Sequence, residues 1–370
     1  MPDKKRLLHL FEQLVSFDSP SFDERDICDF IKKQLSDTGL LVDEDNSAAI
    51  TGGTCGNLYA FADGSLSLPP LLFCAHMDTV EPSRGKRIET DKNGIITSGG
   101  TTVLGADDCA GIAEILEAWT SVCESQAPHR PLEFLFTYAE EPYCKGIRHF
   151  DFSKLKSKEA YVLDLTGSVG GAAYQAPAII SFKAVFSGRA AHAGFDPENG
   201  INAVKAAAEA ISHTECGRTN GMTVNIGTVS GGTADNIVPD KCLLTGEIRS
   251  YTDAEAKEKL ESIFAVFKNA AEKYLASVET ESTVHFPAYC TDISAQVVQR
   301  FKSACSELNI PVSLCSTFGG SDNNHLAAHG ISGIVAAPGM NKCHSCDEFT
   351  TEDELMRAAD IVYALMTSTD

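Results

Sequence analysis

The chain alternates between two periodicities. Residues 4–17 place Leu7, Leu8, Leu10, Phe11, Leu14 and Val15 at helical spacing, which predicts an amphipathic helix. Ser21 followed by Glu24 reads as a capping box for a second helix through Ile27, Phe30, Ile31 and Leu35, stopped by Gly39. A strand is expected near residues 57–62. The run 71–75 is short and apolar throughout, as in a buried strand. The polar stretch 81–102 carries turn residues and predicts a small hairpin. Helical spacing returns over 108–121, with Ile112, Ile115, Leu116 and Trp119 on one face. Two more buried strands are expected at 132–138 and 160–165. This alternation argues an α/β core built on a central sheet.

The pattern changes near Pro177. Residues 179–186 alternate strictly, with Ile180, Phe182, Ala184 and Phe186 on one side. A helix is predicted over 200–211, strands over 222–229 and 242–249, a helix over 254–274, and a strand over 283–287. That β-α-β-β-α-β order is the ferredoxin-like arrangement. The α/β signals then resume, with a helix at 294–308, strands at 312–315 and 333–337, and a last helix at 351–366. The expected organisation is one domain made of 1–176 and 288–370, interrupted by an inserted α+β domain at 177–287.

Charge narrows the function. Thirty Lys and Arg face fifty-one Asp and Glu, a formal charge of -21. Such a field repels phosphate backbones, so nucleic acid is not an expected partner. The thirteen cysteines are an odd number, mostly scattered singly, several in apolar contexts such as Cys74 and Cys242. They read as reduced thiols, and with no evident signal peptide or membrane span a cytoplasmic protein is expected. The C-x-x-C pair Cys343 and Cys346 is a weak zinc signal on its own.

Five clusters fall at predicted strand ends or in the loops beyond them, where open α/β sheets build their sites. His76 follows the strand at 71–75, and Asp78 is placed to orient its ring. An ordinary strand-end His with a capping Asp would look the same. Asp107 and Asp108 open a helix, where acids also suit the helix dipole. Glu140 and Glu141 follow a buried strand. Enclosed together they call for a cation or a retained proton; in a solvated loop they call for neither. Asp164 lies inside an apolar strand and needs a metal or an Arg as partner. His344 lies in the loop before the last helix, where a surface His is also ordinary. Taken jointly, two His and three carboxylates beside one candidate base make a donor set suited to paired divalent ions, and hence to amide hydrolysis.

The strings AHMDTV, LGADDCAG, FTYAEEP, VLDLTG, GGSDNN and NKCHSCDEF resemble the co-catalytic zinc peptidases, which include peptidase T, carboxypeptidase G, aminoacylase and succinyl-diaminopimelate desuccinylase. GRAAHAGFDPENGINAVKAAAEAI, GGTADNIVP and GEIRS extend the likeness through the insertion, and peptidase T is the nearest branch. The resemblance implies a mixed-sheet catalytic domain with helices on both faces and a ferredoxin-like lid and dimerisation domain. It implies two Zn²⁺ per chain, with Co²⁺ or Mn²⁺ as substitutes. His76 and Asp164 would hold one ion, Glu141 and His344 the other. Asp107 would bridge them through a cis peptide bond to Asp108. Asp78 would orient His76. Glu140 would move a proton from water to the leaving amine. His192 would stabilise the oxyanion in the partner subunit's active site, and Asn236 and Arg249 would touch substrate, although Arg249 also fits a structural strand residue. The implied protein is a homodimer that releases the N-terminal residue of small peptides, with N-acyl or N-carbamoyl amino acids as the alternative substrates and an inactive binding protein as the remote one. Cys109, Cys144, Cys343 and Cys346 depart from the family pattern.

Overall fold

The computed structural model describes all of residues 1–370. The chain forms two compact units, one of Met1–Gln175, Thr291–Thr317 and Ser321–Asp370, the other of Ala176–Cys290 and Phe318–Gly320.

In the first unit, Leu71–His76 and Leu132–Thr137 are buried at every position. Strands of that composition need cover on both sheet faces. The sheet runs in the order Val42–Glu44, Leu58–Ala62, Leu132–Thr137, Leu71–His76, Glu159–Val162, Ser332–Ala336 and Gly171–Ala176, and Ser313–Ser316 also pairs with the last of these. The four central strands are mutually parallel, so their C-terminal ends share one edge. Helices Lys4–Val15, Arg25–Asp37, Ala106–Ser125, Gln296–Glu307 and Glu352–Met366 join Phe73, Phe134, Phe136 and Tyr161 in one apolar core. Each such side chain contributes about 1.5–3 kcal/mol on burial. Gly111 lets the helix Ala106–Ser125 approach closely. A Cβ there would lie 2.4 Å from Asp108 Oδ1 and 2.7 Å from the Leu163 carbonyl oxygen.

Several sequence expectations need correction. Ser21 and Glu24 form no capping box. The Ser21 hydroxyl donates to Asp78 Oδ2 at 2.6 Å, and Glu24 is buried and accepts from the Phe22 and Ala139 amides. Asp164 is not inside a strand, because that strand ends at Val162 and Asp164 stands in the loop beyond it. Gly171–Ala176 and the helix Asp322–Ala328 were not expected at all.

The second unit is an antiparallel sheet in the order Met222–Gly231, Lys241–Ser250, Ala178–Ser187, Ser277–Phe286, with short Gly217–Thr219 beside the first. Ile180, Phe182, Ala184 and Phe186 point to one face and pack with Ala203 and Ala207 from Ala203–Ser212, and with Phe267 and Ala271 from Asp253–Lys273. This is the ferredoxin-like order. All thirteen cysteines are unpaired, and no helix is long and apolar enough to cross a membrane.

Candidate metal centre

The four parallel strands of the first unit each deliver polar residues at their C-terminal ends. His76 is the last residue of Leu71–His76, and Glu140 and Glu141 follow Leu132–Thr137. Asp164 follows Glu159–Val162, and His344 follows Ser332–Ala336. Asp107 enters from the start of Ala106–Ser125, where Asp107 and Asp108 depart from helical angles and the bond between them is cis.

Asp107 is the centre of the arrangement. Its Oδ1 lies 3.0 Å from His76 Nε2, and its Oδ2 lies 3.2 Å from His344 Nε2. His344 Nε2 is also 3.1 Å from Glu141 Oε2, and His76 Nε2 is 3.9 Å from Asp164 Oδ1. On the far side of the ring, His76 Nδ1 faces Asp78 Oδ1 at 3.4 Å. Donor atoms of His76, Asp107 and Glu141 lie within 4.8 Å of one another, and so do those of His76, Glu140 and Asp164. The six donor-bearing residues named in the sequence, together with Asp78, are therefore gathered in one place. Cys343 and Cys346 belong to neither group.

The acids are crowded and enclosed, while the His344 side chain that meets them is exposed. Burial, then the neighbouring acids, push the Glu140 and Asp164 carboxyls well above the usual carboxylate range. Burial also raises Glu141, against an opposing hydrogen bond from His344. Asp107 goes the other way. Burial would raise it, but hydrogen bonds from His344 and His76 hold it below the ordinary value. Burial opposes charge on His76, yet the contact with Asp107 and the Asp78 carboxylate facing Nδ1 lift it well above a free imidazole. His344 rises to about 11 through Asp107 and Glu141. Glu141 Oε1 is buried with no hydrogen-bond partner. Carboxylates that would otherwise retain protons, an orphaned buried oxygen and two imidazole nitrogens are what a divalent cation of borderline softness satisfies.

Around the donors lies a supporting layer, of which sequence reasoning named Asp78 and Asp108 but missed Glu348, Asp322 and Cys144. Glu348 accepts from the Gly105 amide at 2.8 Å and the Asp107 amide at 3.0 Å, fixing the loop that presents Asp107. Asp108 Oδ2 accepts from the His76 amide at 3.2 Å. Asp78 accepts from the Glu140 and Glu141 amides at 2.9 and 3.2 Å. The buried Asp322 and Cys144 group with Glu140. Asp322 stood in the quoted GGSDNN string, and Glu348 beside Phe349 was an acid next to an apolar residue. Neither string says which backbone amides such an acid will meet.

Of the remaining predicted residues, all in the second unit, His192 is exposed. Its Nδ1 accepts from the Gly194 and Phe195 amides at 3.1 and 3.2 Å, which leaves the ring proton on Nε2. A bridge between His192 and Ile237 brings Asn236 beside it. Arg249 is held by Glu247 Oε1 at 2.7 Å and by the Phe318 carbonyl at 2.6 Å.

A peptidase dimerisation domain matches residues 175–275, and peptidase family M28 matches residues 57–213. The crystal structure of aminopeptidase PepT from Bacillus cereus is 34% identical, covers 99% of this chain and 98% of its own, and superposes with a TM-score of 0.93. The chain belongs to the peptidase T-like metallopeptidases. A tripeptidase from Staphylococcus aureus is a second peptidase T-like relative of known structure, 30% identical over 99% of this chain and 98% of its own, with a TM-score of 0.96. The Bacillus subtilis protein YqjE, itself uncharacterized, is 36% identical over 99% of each chain. The gathered His and carboxylate residues are thus the candidate metal centre of a peptidase T-like enzyme.

Proposed function

We propose that the protein is an aminopeptidase that removes the N-terminal residue of tripeptides, using a pair of zinc ions. The observation that carries the reading is the Asp107 carboxylate, with one oxygen beside His76 and the other beside His344. Such an acid fits a bridging role, His76 and Asp164 serving one ion and Glu141 and His344 the other. When bound, the ion pair polarises the scissile carbonyl and makes water acidic enough to yield a nucleophile near neutral pH. Glu140, buried beside His76 and Asp164, takes the proton from the attacking water and returns it to the leaving amine. Asp78 fixes the His76 ring through Nδ1, so that Nε2 remains the donor atom. His192 is read as a neutral Nε2–H donor to the developing oxyanion, and Asn236 and Arg249 as substrate contacts, Arg249 through the part of its guanidinium that Glu247 and Phe318 do not occupy. The tripeptidase and aminopeptidase relatives support this substrate class.

The match to a peptidase dimerisation domain supports a homodimer, which light scattering on the eluting protein would test. The unpaired thiols support a cytoplasmic setting. The deciding experiment measures metal per dialysed chain and turnover of a tripeptide panel beside N-acyl and N-carbamoyl amino acids, before and after chelation. About two zinc equivalents and chelator-sensitive release of the N-terminal residue are expected. Turnover of the acylated amino acids alone would overturn the aminopeptidase reading, and failure to take up any divalent ion would overturn the metal centre.

A further inference from the structure

The turn after Leu132–Thr137 carries a side chain that the reaction described above does not use. The Cys144 amide donates to the Glu140 carbonyl at 2.5 Å, and the Lys145 amide to the Ala139 carbonyl at 2.7 Å. To close this turn, Tyr143 and Cys144 both adopt left-handed backbone angles, with φ of 69° and 49°. Residues with a Cβ pay for that conformation and glycine does not. A glycine at 144 would serve the turn better than cysteine does, so backbone geometry alone gives no reason for the thiol.

The side chain gives one. Cys144 is fully buried, and its Sγ lies 3.0 Å from Glu140 Oε1. A thiol has one proton to donate. Behind it stands the buried Asp322, with donor atoms of Glu140, Cys144 and Asp322 all within 4.8 Å of one another. Asp322 Oδ2 is already engaged by the Thr137 hydroxyl at 2.5 Å and by Cys74 Sγ at 3.8 Å. Asp322 Oδ1, buried and without a partner of its own, is the competing acceptor for the single thiol proton, and the 3.0 Å contact favours Glu140.

We infer that Cys144 is a positioning residue for Glu140, its S–H holding Oε1 so that Oε2 is the oxygen presented to water. The inference rests on the reading of Glu140 as the proton carrier. A thiol suits this task, because it is a weak donor that can orient a carboxylate without competing strongly for its charge.

The test uses the full-length, metal-loaded enzyme and four variants, Cys144→Gly, Cys144→Ser, Glu140→Ala and Glu140→Gln. Cys144→Gly relaxes the turn and removes the donor. It is expected to lower kcat about tenfold or more, the scale of one lost hydrogen bond to a charged group, while KM and metal per chain stay at parental values. Cys144→Ser, which restores a donor, is expected to recover most of that loss. A purely structural cysteine would leave Cys144→Gly as fast as the parent, and that result overturns the proposal. So does loss of a metal equivalent in Cys144→Gly, which would make the trio a metal site. Infrared spectroscopy tests the contact without catalysis, since the S–H stretch lies clear of other protein bands. One S–H band should move to higher frequency in Glu140→Ala and disappear in Cys144→Gly. No change in either removes the contact. If Glu140→Gln keeps full turnover, the reading of Glu140 fails, and the positioning role falls with it even where the infrared band is present.

Discussion

The two units place their chemistry in opposite surroundings. In the first, His76, Asp107 and Glu140 are buried at the C-terminal edge of the sheet, the carboxyls beside them have displaced proton affinities, and His344 alone reaches the cluster from an exposed position. In the second, His192 and Asn236 are exposed, and His192 is oriented by two backbone amides. The enclosed set needs a ligand to be satisfied, since uncompensated buried charge costs several kcal/mol per group. The exposed pair is satisfied by its own backbone and by solvent. Buried carboxylates of this kind favour a cation, whereas the exposed His192 keeps its Nε2 free of protein partners.

The sharpest way to break that contrast is Glu140→Gln. It should lower kcat by about 10³–10⁴-fold, near the upper range of general acid–base catalysis, with metal content retained; unchanged turnover removes Glu140 from the reaction. His192→Ala comes next, with an expected fall in kcat of about 10²-fold if its Nε2–H meets the oxyanion. A matching fall in metal content would show instead that the exposed residue acts through the buried site. Glu348→Ala tests the supporting layer. Releasing the Gly105 and Asp107 amides should weaken metal affinity about 10–100-fold, read by competition with a chromophoric chelator. A variant that binds metal as tightly as the parent would make Glu348 a spectator.

The smallest effect concerns pH. Burial, helped by the Asp78 charge, raises Glu24 from the ordinary 4.5 to about 8. The folded chain then keeps a proton that the unfolded chain gives up, so this contribution to stability is complete below about 4.5 and is lost as pH rises through about 8. Glu24→Gln keeps the acceptor oxygen for Phe22 and Ala139 and removes the titration. It should flatten the decline in urea-measured stability between these values by about 1–3 kcal/mol. An unchanged slope would place the proton elsewhere.

The framework was largely legible in the sequence because it is local. Alternation at Ile180, Phe182, Ala184 and Phe186 encodes one face of a strand, and the apolar run 71–75 encodes a buried one. The strand-end position of His76 follows from the second of these runs, and that of Glu140 and Glu141 from the apolar run at 132–138. What escaped was set by partners distant in the chain. Ser21 and Glu24 have the spelling of a helix cap, but Asp78 and the Ala139 amide claim them instead. Gly171–Ala176 is built of small residues with weak strand preference, and its neighbours in the sheet recruit it. Asp322–Ala328 opens with Asp, two Asn and His, which reads as loop until the side chains are seen to be buried. Glu348 and Cys144 carry no local pattern at all, because their meaning lies in the loops they meet.

The donors that the sheet brings to one edge are far apart in the chain, so a ribosome delivers them one after another. His76 emerges early, and Glu141 and Asp164 well before the insertion. His344 comes last, beyond both the insertion and the strand Ser332–Ala336. A nascent chain still lacking that segment can offer Asp107 only one of its two imidazole neighbours. On the two-ion reading proposed above, a chain cut short before His344 would lack part of its metal site, however much of its sheet had formed.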